Sequence, residues 1–169
     1  MISLALCALV FVPMIVEARL SARHDAVLRE RGAVEPAGDV FRAMQLCYPG
    51  AFLAMMAEGF LRDPQLDQAG AVGLLVFASA KALKYWAMAT LRERWTFRVL
   101  VPPGSARVVG GPYRVIRHPN YVAVLGELAG VALMAHAWIA GPAGTALFAA
   151  LLWLRIRVEE RALGIESRR

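Results

Sequence analysis

Five apolar runs divide the chain, at residues 2–16, 44–61, 69–90, 121–137 and 138–154. Each is near the ~20 residues a helix needs to cross the hydrocarbon of a bilayer. The pattern predicts five membrane-crossing helices, the first short and the last two joined as a tight hairpin at Gly141-Pro142. Between the first two runs, the polar stretch 21–40 predicts a separate short helix stopped by Gly32 and followed by the turn-forming Glu35-Pro36-Ala37-Gly38. That helix is expected to lie along the membrane face and cap whatever site is there. No repeat, low-complexity tract or Gly/Ser linker interrupts the chain, so the expectation is one domain over 1–169, an all-α polytopic membrane helix bundle.

Composition strengthens this reading. With 59% hydrophobic residues and a mean hydropathy of +0.51, the 169-residue chain is too apolar for an ordinary soluble domain of its size. Residues 1–16 lack a basic leading stretch and a small-x-small pattern before Glu17, so the first run reads as a retained helix rather than a secretion signal. Cys7 and Cys47 lie inside apolar runs without metal-ligand spacing, and read as small packing residues.

Charge then orients the bundle. Sixteen of the nineteen basic residues fall in segments 17–43, 91–120 and the tail after residue 154, which share one side if there are five spans. The other side has Arg62 in its loops. By the positive-inside rule the amino terminus is expected outside and the carboxyl terminus in the cytoplasm. The net charge of +6 is thereby a topological signal suited to an anionic lipid leaflet, and nucleic acid is not called for.

Two clusters carry candidate chemistry. Gly110-Gly111-Pro112-Tyr113-Arg114-Val115-Ile116-Arg117-His118-Pro119-Asn120-Tyr121 precedes the fourth run, and Arg155-Ile156-Arg157-Val158-Glu159-Glu160 ends the fifth. A hairpin between them would bring both to one membrane face. Taken singly these residues have plainer explanations: arginine beside a span marks topology, tyrosine there is an interfacial anchor, and Arg155 with Glu159 is an i, i+4 pair.

In order and spacing, however, they resemble the integral-membrane methyltransferases grouped with isoprenylcysteine carboxyl methyltransferase. Gly111-Pro112-Tyr113-Arg114, Arg117-His118-Pro119-Asn120-Tyr121, the hairpin, and then Arg155 with Glu159-Glu160 and Leu163 carry that resemblance, over about residues 85–163. Residues 21–35, together with Trp95-Thr96-Phe97-Arg98-Val99, look like the bacterial subgroup that methylates hydroxyls of alkylresorcinols and alkylpyrones. The chain departs from the family pattern at Ala123, where Gly is common, and around Met44-Gln45, where that subgroup has a polar His. The resemblance implies S-adenosylmethionine as methyl donor on the cytoplasmic side, a lipophilic acceptor entering from the bilayer, and a bacterial inner membrane as location. It implies no metal.

Such a donor carries a sulfonium, an amino group, a carboxylate, ribose hydroxyls and adenine. Glu159 and Glu160 can accept from ribose hydroxyls or ammonium, while Arg117, His118 or Arg155 can satisfy the carboxylate through charge-assisted bonds. Tyr113 and Tyr121 can flank adenine or face the sulfonium. Pro119 holds His118 extended and starts the next helix, turning its first amide groups toward the cofactor.

Ionisable residues inside apolar runs normally face a cavity or a partner. Glu127, about two turns beyond Tyr121, is the candidate for orienting or deprotonating an acceptor hydroxyl, and Arg155 joins it as a candidate catalytic residue. Lys81 is expected to snorkel, Lys84 is balanced between snorkelling and a role, and Glu58 reads as a helix-end charge. His24 is expected on a solvated helix and His136 as a hairpin cap. Two other readings stay open: a sterol-type membrane reductase using NADPH, though the aromatic, Lys-rich tail of such enzymes is missing, and a non-enzymatic membrane scaffold. A soluble Rossmann methyltransferase is unsupported, since Gly110-Gly111 lacks the strand-turn-helix context.

Overall fold

The computed structural model describes residues 2–62, 67–104 and 108–162, so Arg107, Leu163, Arg168 and Arg169 lie outside the described residues. Five helices follow in order: α1 (Ile2–Glu30), α2 (Phe41–Arg62), α3 (Gln68–Leu91), α4 (Pro119–Met134) and α5 (Ala140–Ala162). Short 3-10 turns occupy Arg92–Arg94 and Gly111–Arg114. Among the described residues β-pairing is limited to one isolated antiparallel bridge, Val34 with Val101. The all-helical expectation is met. α1 and α3 (extended to Arg94) are long and apolar enough to cross a membrane by themselves, and α4 is apolar but shorter.

The first helix differs from the expected short span plus separate surface helix: it runs unbroken for 29 residues. Hydropathy falls after Val16, but no helix breaker follows until Gly32, which takes φ +78°. Leu6, Val10, Glu17, Ser21 and Leu28 are all buried, at spacings of four and seven that keep one helix face inward. The inward stripe therefore continues through the polar half and carries Glu17 into the protein.

α4 packs chiefly on α3 and also on α5, α5 packs on α2, and α1 lies against α2 and the Arg92–Arg94 turn. The α3/α4 seam is made of small residues. A Cβ on Gly73 would come within 2.7 Å of the Gly130 carbonyl, and one on Gly130 within 2.8 Å of the Gly73 carbonyl. Such mutual backbone approach is the usual way helices associate in lipid, where apolar burial between helices gives little. Gly130→Val is expected to overpack the seam by about 1–3 kcal/mol, lowering the melting midpoint of the detergent-purified protein by several degrees. An unchanged midpoint would show that the helices part without penalty.

Large apolar side chains cover the outside, with Leu4, Val12, Phe60, Leu75, Trp86 and Leu147 all more than half exposed. So many large apolar side chains facing outward suit lipid contact. Inside, Phe52, Met55, Leu128, Val131, Phe148 and Leu152 form the core of α2, α4 and α5.

The two ends of the bundle differ. At one end Glu58 accepts hydrogen bonds from the Ile139 and Ala140 amides (3.2 and 2.7 Å), capping α5 as well as pairing with Arg62. Asp67 caps α3 through Gly70 N (2.8 Å) and meets His136 Nε2 at 3.0 Å, so His136 sits at the hairpin turn, which occupies 135–139; Gly141-Pro142, expected to form that turn, lie instead in the first turn of α5. The other end gathers the segments 31–40, 92–104 and 108–118 and the end of α5.

Candidate active site

Pro119 opens α4 and keeps His118 out of the helix just before it, at φ −129° and ψ 66°, short of the fully extended geometry expected. The His118 ring stacks on Tyr121, one helical turn on, with centroids 5.3 Å apart and planes 13° from parallel. The preceding 3-10 turn is seated by Gly111, which takes φ +53° and lies against Thr90 where a Cβ would collide. That seat fixes Tyr113 over the same space. Burial, aided by the nearby Glu159 carboxylate, pushes the Tyr113 hydroxyl above its ordinary pKa, so it stays a neutral donor.

From α5, Glu159 accepts a hydrogen bond from the Tyr121 hydroxyl at 2.7 Å. His118 lies 3.8 Å from both Glu159 and Glu160, and Arg117 lies 3.7 Å from Glu160. The two clusters that are far apart in sequence therefore meet. Arg155 is 3% exposed and its guanidinium is committed to other protein groups. Nε donates to the Tyr121 hydroxyl at 3.0 Å, one terminal nitrogen donates to Asp39 at 3.0 Å, and the other donates to the Phe97 carbonyl.

The loop that includes Trp95 to Val101 forms a roof. Trp95 is 1% exposed, its indole donates to Asn120 at 3.3 Å, and its carbonyl is bonded by His24 Nδ1 at 2.7 Å. His24 is thus a loop anchor rather than a solvated helix residue. Ser21 Oγ accepts from Phe97 N at 2.7 Å, and Asp39 accepts from Val99 N at 3.2 Å. Arg98 reaches Glu35 at 2.8 Å and lies over the Phe41 ring. Burial alone would raise the Glu35 carboxyl, but hydrogen bonds from Arg29 and Arg98 outweigh it and hold the group below its ordinary pKa.

Beneath this roof is a cavity of about 460 Å³. That is within the ~300–1,000 Å³ usual for small-molecule sites. Tyr113, Arg117, His118, Tyr121, Arg155, Glu159 and Glu160 line its polar part, which brings seven of the nine sequence-predicted site residues to one space. Pro119 is buried behind them. Glu127 is also behind the wall, 2% exposed, and reaches the cavity through two lining residues, Tyr48, whose hydroxyl donates to it at 2.6 Å, and Lys84 at 3.2 Å.

Deeper in the bundle lies a group of four buried charges. Lys81 contacts Glu17 at 2.7 Å and Glu127 at 3.1 Å; Lys84 contacts the same two carboxylates at 2.6 and 3.2 Å. The expected snorkelling of Lys81 does not occur, because Glu17 and Glu127 offer closer partners than any headgroup. The helical spacing of 81 and 84 puts both ammonium groups on one face of α3. Two positive and two negative charges then balance away from water, the arrangement that buried ions require.

Sequence reasoning missed Asp39, Glu17 and Tyr48. Glu17 had a readable signal, its register with Leu6, Val10 and Leu28; Asp39 and Tyr48 had none of comparable strength.

Residues 71–165, which take in most of α3 and all of α4 and α5, match the isoprenylcysteine carboxyl methyltransferase family. The chain belongs to that family. Isoprenylcysteine carboxyl methyltransferase relatives are membrane methyltransferases, and membership with two long apolar helices makes this chain a membrane methyltransferase. The reductase and scaffold readings are left without support. The family match contains every polar residue expected to bind the donor, whereas Glu17, Asp39 and Tyr48 precede it. Two relatives extend the similarity beyond that segment. An uncharacterized Bacillus subtilis protein, YpbQ, is 28% identical over 158 residues, covering 94% of each chain. An uncharacterized Haemophilus influenzae protein is 23% identical over 145 residues, 85% of this chain and 84% of its own.

Proposed function

We propose that the protein is an S-adenosylmethionine-dependent O-methyltransferase with a lipophilic acceptor, the donor entering from the cytosol and the acceptor from the bilayer. One observation carries this reading: a single cavity joins a charged, aromatic end to an apolar end that includes Met14, Ile15, Met44 and Phe148. Ile15, which lines that apolar end, is 52% exposed, in keeping with an opening toward the surface that lipid would cover.

The donor set fits the group. Glu159 and Glu160 supply anionic acceptors for ammonium or ribose hydroxyls, Arg117 supplies a cationic donor and His118 a ring N–H for a carboxylate, and Tyr113 and the stacked His118–Tyr121 pair supply flat faces. When bound, the donor supplies an electrophilic methyl on a sulfonium. Arg155 holds Tyr121 and the roof loop in place rather than reaching the cofactor itself, and Glu127 stands behind Tyr48. Holding the acceptor oxygen in line with the methyl can supply much of the rate. Five spans, with the amino terminus outside, would place the charged end in the cytoplasm, as the arginine distribution requires.

Calorimetry on the detergent-purified protein tests the reading. S-adenosylmethionine and S-adenosylhomocysteine are expected to bind at micromolar concentration, with no heat from NADPH. Glu159→Ala and His118→Ala are each expected to abolish donor binding without loss of expression. Full binding in both variants would sink this site, and binding of NADPH alone would return the reductase.

A further inference from the structure

The charge cluster and the cavity meet at two residues, Tyr48 and Lys84, which both line the cavity wall. Neither belongs to the donor end. Lys84 is 1% exposed, and its ammonium nitrogen sits 5.7 Å from the Tyr48 ring centroid. Its contacts with Glu17 and Glu127 use two of the three N–H donors an ammonium carries. Tyr48 is only partly buried, and its hydroxyl oxygen, having donated its proton to Glu127 at 2.6 Å, retains the capacity to accept one bond. Beside them the wall turns apolar, with Val124, Phe148 and Leu152. A weakly acidic hydroxyl on an apolar tail would match these features in order.

We propose that Tyr48 and Lys84 form the acceptor-oxygen site of this methyltransferase, and that Glu127 takes the acceptor's proton through the Tyr48 hydroxyl. The proposal rests on the methyltransferase reading above and adds to it which residues hold and deprotonate the acceptor. In the step, the acceptor O–H proton passes to the Tyr48 oxygen while the Tyr48 proton passes to Glu127. The acceptor oxygen forms its bond to the methyl carbon as the carbon–sulfur bond breaks, and that electron pair stays on sulfur. Lys84 supplies positive charge where the oxygen becomes an anion. Protonation of Glu127 leaves two lysines facing Glu17 alone, an excess positive charge that favours loss of the proton back through the Tyr48 hydroxyl to water entering the cavity once product leaves. Glu17 and Lys81 act through the others and are positioning residues: Lys81 bridges both carboxylates, and Glu17 holds both ammonium groups.

The order of groups also separates acceptors. A phenol or enol needs a base, and the relay provides one; a carboxylate arrives without a proton to lose and has no use for it.

The test uses the full chain in lipid nanodiscs with two probes, 3-pentadecylphenol and its more acidic 4-nitro derivative. The nitrophenolate absorbs visible light, so its ionisation on binding is read without any donor present. Wild-type protein is expected to ionise the bound nitrophenol at a pH at least one unit below that of the same probe in empty nanodiscs. Lys84→Met is expected to abolish that shift and Lys84→Arg to keep part of it, which covers the chance that the neutral variant does not fold. With S-adenosylmethionine added, Tyr48→Phe is expected to lower kcat on pentadecylphenol by about 100-fold. It should lower kcat on the nitrophenol by less than about tenfold, because that acceptor needs little help from a base. Donor binding should not change. Equal losses on both phenols, an unshifted nitrophenol, or failure of donor-binding wild-type protein to methylate either phenol would overturn the proposal while leaving the donor site standing. Failure of the wild-type protein to bind S-adenosylmethionine would instead overturn the methyltransferase reading and this proposal with it.

Discussion

Glu17→Ala is expected to leave the protein poorly folded. Its carboxylate holds Lys81 at 2.7 Å and Lys84 at 2.6 Å, and its removal leaves two buried ammonium groups facing Glu127 alone. Removing one partner of a buried ion pair typically costs about 3–5 kcal/mol, because the remaining charge has lost its compensation. In an apolar bundle the vacated space also offers little water. α1 has a second dependence on this residue, since Glu17 joins it to α3 through long side chains instead of close backbone approach. The expected result is a large loss of monodisperse protein on size-exclusion chromatography. A second substitution that restores the balance should recover most of it: Glu17→Gln with Lys81→Met keeps one ammonium and one carboxylate, Lys84 and Glu127, in contact. If the single variant elutes like wild type, or the double variant is no better than the single, the four charges are not a coupled unit. The cluster thus serves folding and, through Lys84, the acceptor site, so folding has to be measured before any activity loss is assigned.

How much of this was readable in the chain depends on which physical signal each residue left. The apolar runs marked all five helices, because a segment that must avoid water shows it in composition. The α1 boundary was lost for the same reason: hydropathy reports what touches lipid, whereas the helix continues wherever the backbone is not stopped. Residues 17–30 are polar outward but keep Leu28, Ser21 and Glu17 inward, and only their register carries that. At the site, Tyr113 to Tyr121 and Arg155 to Glu160 could be paired because family order and the hairpin both predicted it. Asp39 could not, since an aspartate after a Gly turn looks like any loop residue until Arg155 and Val99 are seen to converge on it. Lys81 illustrates a third case. An intramembrane lysine near a helix end snorkels by default, and that default yields only when two carboxylates from other helices, α1 and α4, arrive within about 3 Å.

Arg155→Met should give the largest loss of donor binding of any substitution outside the residues that would touch the donor. One guanidinium ties together four separate parts of the chain: α5 itself, Tyr121 on α4, Asp39 before α2, and the Phe97 carbonyl in the roof loop. Methionine fills much the same volume but makes none of these bonds. It leaves the Asp39 carboxylate, which is 4% exposed, without its cation, and leaves Tyr121 free to turn away from Glu159. The first effect should destabilise the protein by about 3–5 kcal/mol, and the second should weaken S-adenosylhomocysteine binding by at least about 100-fold, near 2.7 kcal/mol. Arg155→Lys should rescue little, since a lysine ammonium is a point charge and cannot present planar donors to three acceptors at once. Asp39→Asn separates the two effects. It keeps one oxygen to accept from Arg155 but removes the ionic part and the second oxygen that accepts from Val99 N, so stability should fall while donor affinity stays within about tenfold of wild type. Calorimetry of all three variants, each first shown to be folded at the working temperature, checks this. Donor affinity that tracks stability one-for-one across the set would reduce Arg155 to a structural clamp. Affinity that collapses in Arg155→Met but survives in Asp39→Asn identifies the Arg155–Tyr121–Glu159 chain as what holds the cofactor's aromatic and acidic contacts in register.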